Sequence, residues 1–119
     1  MGLIYHVSFA ADWNDAREVG EYRVSTRGHT LEEVGFIHCS QLSQVEPVAN
    51  AVYQGAEDLV LLSIDPDRVQ SEVRYDVVDG WEEPFPHIYG PLNIDAVVEV
   101  RQFGPGPEGR FTFPPAGAP

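Results

Sequence analysis

The chain contains no lysine: its seven basic residues are all arginine, set against 19 Asp and Glu. Without lysine there is no internal Schiff-base former, which excludes lysine-anchored pyridoxal chemistry. A formal net charge of −12 over 119 residues leaves no basic stripe to displace the counterions of a nucleic acid. The expectation is therefore that nucleic acid is not a partner. A local pocket with one or two arginines remains compatible with a phosphate, and Arg23, Arg27 and Arg74 are the candidates. Cys39 is the single cysteine, so no internal disulfide framework exists.

No apolar run approaches the length that crosses a bilayer, and no basic segment followed by an apolar one opens the chain. We expect a soluble, cytoplasmic protein. Dinucleotide fingerprint, phosphate loop and internal repeat are all missing. So are the local spacings His-Glu-x-x-His and Cys-x-x-Cys, and no metal site is expected.

What is present is one domain's worth of ordinary globular composition, 43% hydrophobic. The run Leu3 to Ser8 reads as a strand, with His6 on the face of Ile4 and Ser8. Asp12 to Val19 reads as a helix stopped by Gly20, with Trp13, Ala16 and Val19 turned inward. Thr30-Leu31-Glu32-Glu33 has capping-box spacing, which predicts a brief helical turn closed by Gly35. Val45, Val48, Ala49, Val52 and Tyr53 recur at helical spacing, with Ser43 available as a cap and Gly55 as a stop. Leu59 to Ile64 is a short unbroken apolar run, as in a central strand covered on both faces. Val73 to Val77 and Ala96 to Phe103 alternate like strands. Residues 1–103 are read as a single α+β domain and 104–119 as a Gly/Pro-rich tail, in which Phe111 and Phe113 can dock.

Two stretches concentrate chemistry. In Phe85-Pro86-His87-Ile88-Tyr89-Gly90-Pro91-Leu92-Asn93, prolines and a glycine fix the backbone around one histidine. Extended geometry puts Phe85, His87 and Tyr89 on one side. In Gly35-Phe36-Ile37-His38-Cys39-Ser40, an apolar pair leads into three polar groups. His38 and Cys39, as neighbours on a strand, point to opposite faces and cannot serve each other, so Cys39 reads as buried and inert. Ser40 and Ser43 read as caps, and Tyr53 and Tyr89 as core or as stacking surfaces. His29 sits in a polar turn. A lone imidazole on a strand is most often a satisfied structural group. Three of them, His6, His38 and His87, at the ends of separate strands, predict convergence on one cleft for hydrogen bonding or proton transfer.

Ile4-Tyr5-His6, the Phe-Ile-His-Cys-Ser block, Gln44 with Val48-Ala49-Asn50, and the Phe-Pro-His-Ile-Tyr-Gly-Pro block resemble the signature blocks of a bacterial family, domain of unknown function 952. The resemblance runs over about residues 3–103. That family is similar in fold to the ADP-ribosyltransferases, which implies a split, strongly bent, mostly antiparallel sheet with two or three flanking helices. It further implies NAD as a substrate in a cleft between two small sheets. On this resemblance His6 holds a ribose and His38 with Ser40 lines the nicotinamide or phosphate pocket. His87 serves as acid/base or phosphate ligand, and Tyr89 as an aromatic wall. The catalytic Glu of those enzymes has no counterpart: its block offers His87, and the only late-strand acid is Glu99. NAD-using RNA 2′-phosphotransferases likewise lack it and use His and Arg. The resulting expectation is an ADP-ribosyl-type transferase or glycohydrolase. The alternatives are a non-catalytic nucleotide or metabolite-binding module and a three-His metal hydrolase.

Overall fold

A six-residue strand of unbroken apolar character sorts the interior into two cores. The computed structural model describes residues 2–114. Strand β6 (Leu59–Ile64) is buried along its whole length and lies between β1 (Ile4–Phe9) and β10 (Val97–Gln102), antiparallel to both. Because side chains alternate across a strand, Val60, Leu62 and Ile64 enter one core and Leu59 and Leu61 the other. This is the geometry that a continuous apolar run requires, since a strand with one wet face would alternate.

The first core is closed by helix α1 (Ala10–Val19), which contributes Trp13 and Ala16 and ends at Gly20 with φ 103°. Val19, expected to turn inward, is 76% exposed: it is the last residue of the helix, past the buried stripe. The short strands β2 (Glu21–Tyr22) and β9 (Leu92–Asn93) pair, as do β3 (Val24–Thr26) and β4 (His29–Thr30). Helix α2 (Leu31–Val34) opens on the expected box, with the Thr30 and Glu33 side chains each accepting from the other's backbone N–H. A second three-stranded sheet, in the order β5 (Ile37–His38), β8 (Phe85–Tyr89), β7 (Glu72–Asp76), gives Ile37 and Ile88 to the same core. The two larger sheets meet where Tyr5 and Ser40 exchange backbone hydrogen bonds of 2.9 and 2.7 Å.

The second core is covered by α3 (Val45–Val52), whose Val45 and Ala49 face β6. Ser43 does not cap it. A 3₁₀ turn over Leu42–Gln44 precedes the helix, stabilised by reciprocal Gln41 and Gln44 side-chain bonds, and the Ser43 hydroxyl donates to Glu83 instead. The segment after β10 packs on the core rather than trailing from it. Phe111 is fully buried against Phe103, and the Asn50 amide grips its backbone, accepting from its N–H at 2.8 Å and donating to its carbonyl at 3.0 Å. Phe113 meets Tyr5 edge-on and its N–H donates to Glu46. The remainder of the expected tail, 115–119, lies outside the described residues.

The architecture is thus α+β, with small antiparallel sheets and few helices. Among the described residues, no helix is long and apolar enough to cross a membrane.

Candidate functional site

Strand pairing brings the histidines together. His38 on β5 stands directly opposite His87 on β8, and β1 reaches the same place through the Tyr5–Ser40 bridge. His6 is 3% exposed and His87 2%, while His38 is half-buried. Of the three rings expected to converge, His38 and His87 bond each other, and His6 joins them only through the His38 carbonyl.

Each ring's tautomer follows from its neighbours. His6 Nδ1 lies 2.6 Å from the His38 carbonyl, which only accepts, so Nδ1 carries the proton. Its Nε2 then accepts from the Tyr22 hydroxyl at 2.9 Å. Burial pushes the His6 imidazole down to about 4, more than the carbonyl contact offsets, so it is neutral near pH 7. Both nitrogens are therefore committed within the fold. The ribose contact expected of His6 has no free ring nitrogen to make it.

The second group runs outward from His38. His87 Nδ1 lies 2.8 Å from Asp76 Oδ2, which also accepts from the Tyr89 hydroxyl. These two donors hold the Asp76 carboxyl below its usual range. An ionised Asp76 puts the His87 proton on Nδ1 and leaves Nε2 as an acceptor. His38 Nδ1, 3.1 Å away, donates to it. The order is Asp76, His87, His38, and it ends on His38 Nε2, which has no protein partner among the described residues. Burial lowers His87, against the opposing effect of Asp76. His38 is lowered to about 4, by burial first and then by His87 and His6.

Aromatic rings fix this row. Phe36 stacks on His87 at 4.0 Å and 13°, and Phe85 tilts against His38 at 4.9 Å. Tyr89 is half-buried beside Phe36 and carries the Arg74 guanidinium 4.7 Å above its ring. Gly90, which follows β8, has no room for a side chain: a Cβ there would lie 2.4 Å from Ser71 Oγ, and its φ is +154°.

Ser40 is buried beside this group and lines a small cleft with Tyr5, His6, Ser25, His38 and Tyr53. Its free volume is ≈ 10 Å³, which admits neither a ribose nor a nicotinamide. Tyr53, considered as a stacking surface, is 4% exposed and packs against Phe9. Arg23 pairs with Glu21 and Glu32, Arg27 donates to the Val52 and Gln54 carbonyls, and Arg74 pairs with Glu72. None of the three arginines points a free guanidinium at the histidines. Glu99 sits on β10, outside the sheet of His38 and His87, and pairs with Arg101. Cys39 is 1% exposed with its thiol pushed up by burial, and His29 is exposed.

Among the described residues, no group of three or more His, Cys, Asp or Glu is arranged to hold a metal ion. The geometry gives the reason: His6 has spent both nitrogens, and His38 and His87 bond each other.

Asp76, Tyr22 and Phe36 are the site residues that sequence reasoning missed. Asp76 was visible only as one position of an alternating strand. Its role depends on the register of β7 on β8, which sets Arg74 opposite His87 and Asp76 opposite Phe85.

The fold is similar to that of protein CC0527 from Caulobacter crescentus. Its crystal structure superposes with a TM-score of 0.81 at 25% identity, covering 92% of this chain and 93% of that one. Its solution structure gives 0.75 at 26% identity, covering 92% and 91%. No curated protein matches the chain. Residues 7–100 match one family model, and the chain belongs to that family, described as protein of unknown function (DUF952).

Proposed function

We propose that this protein is an acid–base catalyst acting on a small nucleotide, with His38 as the proton-carrying group. The observation that carries the reading is the row Asp76–His87–His38, hydrogen-bonded at 2.8 and 3.1 Å and ending on a free imidazole nitrogen. A proton taken at His38 Nε2 releases the one on Nδ1 to His87 Nε2. The resulting imidazolium then sits against the Asp76 carboxylate. An adjacent carboxylate stabilises the cation and fixes the tautomer, as in catalytic His–Asp pairs generally. His38 can thus act as a base although its own ring resists holding the charge.

ADP-ribosyl transfer or NAD glycohydrolysis is the form of this chemistry that the sequence resemblance implies. For a nucleotide, the cleft beside Ser40 is too small. The half-buried rings of Phe36, His38 and Tyr89 offer the alternative surface, on which a planar base can stack. In this reading His87 and Asp76 are positioning residues, and His6 is one as well, since it holds the His38 main chain.

The test is calorimetric titration with NAD and then ADP-ribose, together with an assay for nicotinamide release. Saturable heat and release are expected, with release falling roughly 10²–10⁴-fold in His38→Ala. Binding without turnover would replace the catalytic reading by a binding module. Folded protein giving no heat with either ligand would overturn the nucleotide reading.

A further inference from the structure

β10 is the last strand of its sheet: it pairs with β6 on one side and, among the described residues, with no strand on the other. One bond fixes which way its main chain points. The Phe103 N–H donates to the Leu59 carbonyl of β6 at 3.0 Å. Main-chain groups alternate in direction along an antiparallel pair, so Arg101 and Glu99 also face β6. Val100 and Gln102 then turn their N–H and C=O groups to the open edge. No main-chain group of the described residues meets them there.

An open edge is a ready surface for another strand, and folded proteins commonly blunt it with charge. β7, the outer strand of the other large sheet, follows that rule, with Glu72, Arg74 and Asp76 in alternation. β10 does not follow it at its exposed positions. These are Val98, 45% exposed, Val100, 41%, and Gln102. Its charges sit between them, on Glu99 and Arg101, which pair at 2.8 Å.

The order of those charges selects the occupant. If a second copy lies antiparallel about a two-fold axis at Val100, Val100 meets Val100, and Glu99 of each copy stands opposite Arg101 of the other. Val98 meets Gln102. Each charge of the strand then faces its opposite, and the two outward-facing Val100 residues exchange both main-chain hydrogen bonds. Centring on Gln102 instead sets Arg101 opposite the buried Phe103 and leaves the charges unmatched. The register shift against β6 lies before Glu99, outside the stretch from Glu99 to Arg101. Arg101 keeps its contacts to Glu99 and the Pro114 carbonyl within its own chain.

We propose that β10 is a self-association surface: two copies join edge to edge, antiparallel about Val100, into one continuous sheet. The face that carries His38 and His87 belongs to the other sheet, so this dimer is independent of the proton relay.

Analytical ultracentrifugation of the full chain is the first test. It is run at about 0.15 M ionic strength, where the net charge of −12 on each copy is screened beyond about 8 Å. The mass is expected to climb with concentration from the 13.2 kDa of one chain toward that of two. A single-chain mass up to millimolar protein overturns the proposal. Val100→Lys sets two like charges against each other at the axis, at a position exposed in the single chain, and is expected to abolish the dimer. A folded Val100→Lys protein that still dimerises overturns the assignment to β10. If that variant does not fold, amide hydrogen exchange of the wild type decides. The Val100 N–H is expected to exchange slowly in the dimer and fast on dilution, with the Arg101 N–H slow in both. A Val100 N–H that exchanges fast in both overturns the proposal.

Discussion

His38 and His87 face each other in register across β5 and β8, and their rings meet at 3.1 Å between Nδ1 and Nε2. Two neutral imidazoles at that distance share one proton, and Asp76 on the far side of His87 decides which way it leans. Removing the carboxylate is the direct test. Asp76→Asn takes away the charge that favours protonated His87, so the His87 pKa is expected to fall below its already lowered value. His87→Gln removes a neighbour that opposes His38 protonation, so the His38 pKa is expected to rise from about 4 toward its ordinary value. Histidine NMR titrations of the two variants check both directions. A rise of His87 in Asp76→Asn would contradict the assigned order.

The buried His6 predicts acid lability. Its folded-state value of about 4 lies below the ordinary 6.5, so the unfolded chain binds the proton more readily. Stability from this group is complete above about pH 6.5 and is lost as pH falls toward 4, up to about 3 kcal/mol. Urea midpoints of the wild type should drop over that window, and His6→Gln should flatten the drop. An equal slope in the variant would mean that another group controls it.

Tyr22 supplies the other half of that arrangement. Tyr22→Phe keeps the ring against Trp13 but removes the hydroxyl that donates to His6 Nε2. A buried acceptor left unpaired costs about 1–3 kcal/mol. Chemical denaturation at pH 7 measures the loss, and a cost near zero would mean that another donor fills the place.

Much of this architecture was legible because it depends on local chemistry. The apolar run Leu59 to Ile64 is a doubly covered strand, and Thr30 with Glu33 forms its box, since both follow from neighbours in sequence. Strand alternation set His38 and Cys39 apart: one ring joins the histidine row while the thiol enters the core. What was not legible depends on pairing between distant strands. Residues 77–84 separate β7 from β8, and the turn inside them, closed by the Trp81 N–H on the Val78 carbonyl, does not join the two strands directly, so nothing local fixes the register that delivers Asp76 to His87. The same limit hid the engagement of His6, whose partner Tyr22 comes from a two-residue strand held by β9. Ser43 failed as a cap for a different reason: the chain enters α3 through a 3₁₀ turn, which Gln41 and Gln44 cap, and α3 itself has no side-chain cap.

Cys39 should be chemically silent in the native protein. Its thiol is fully buried and pushed away from ionisation, and the thiolate is the reactive form. A disulfide reagent is expected to label it only as fast as the protein unfolds, and at once in strong denaturant. Rapid native-state labelling would mean that the core around β5 opens.

The segment after β10 gives the most severe expected loss. Phe111 is fully buried with Phe103, Val45 and Ala49, so Phe111→Ala removes a large ring from the second core. Such truncations cost about 3–5 kcal/mol. Asn50→Ala leaves Phe111 in place but strips both bonds that hold its backbone. The cost expected there is about 1–3 kcal/mol, the range for losing the partner of a buried polar group. The two changes act on one contact, so the double variant should lose less than their sum. Denaturation of the three variants measures this, and strict additivity would show that the amide grip and the ring burial are independent.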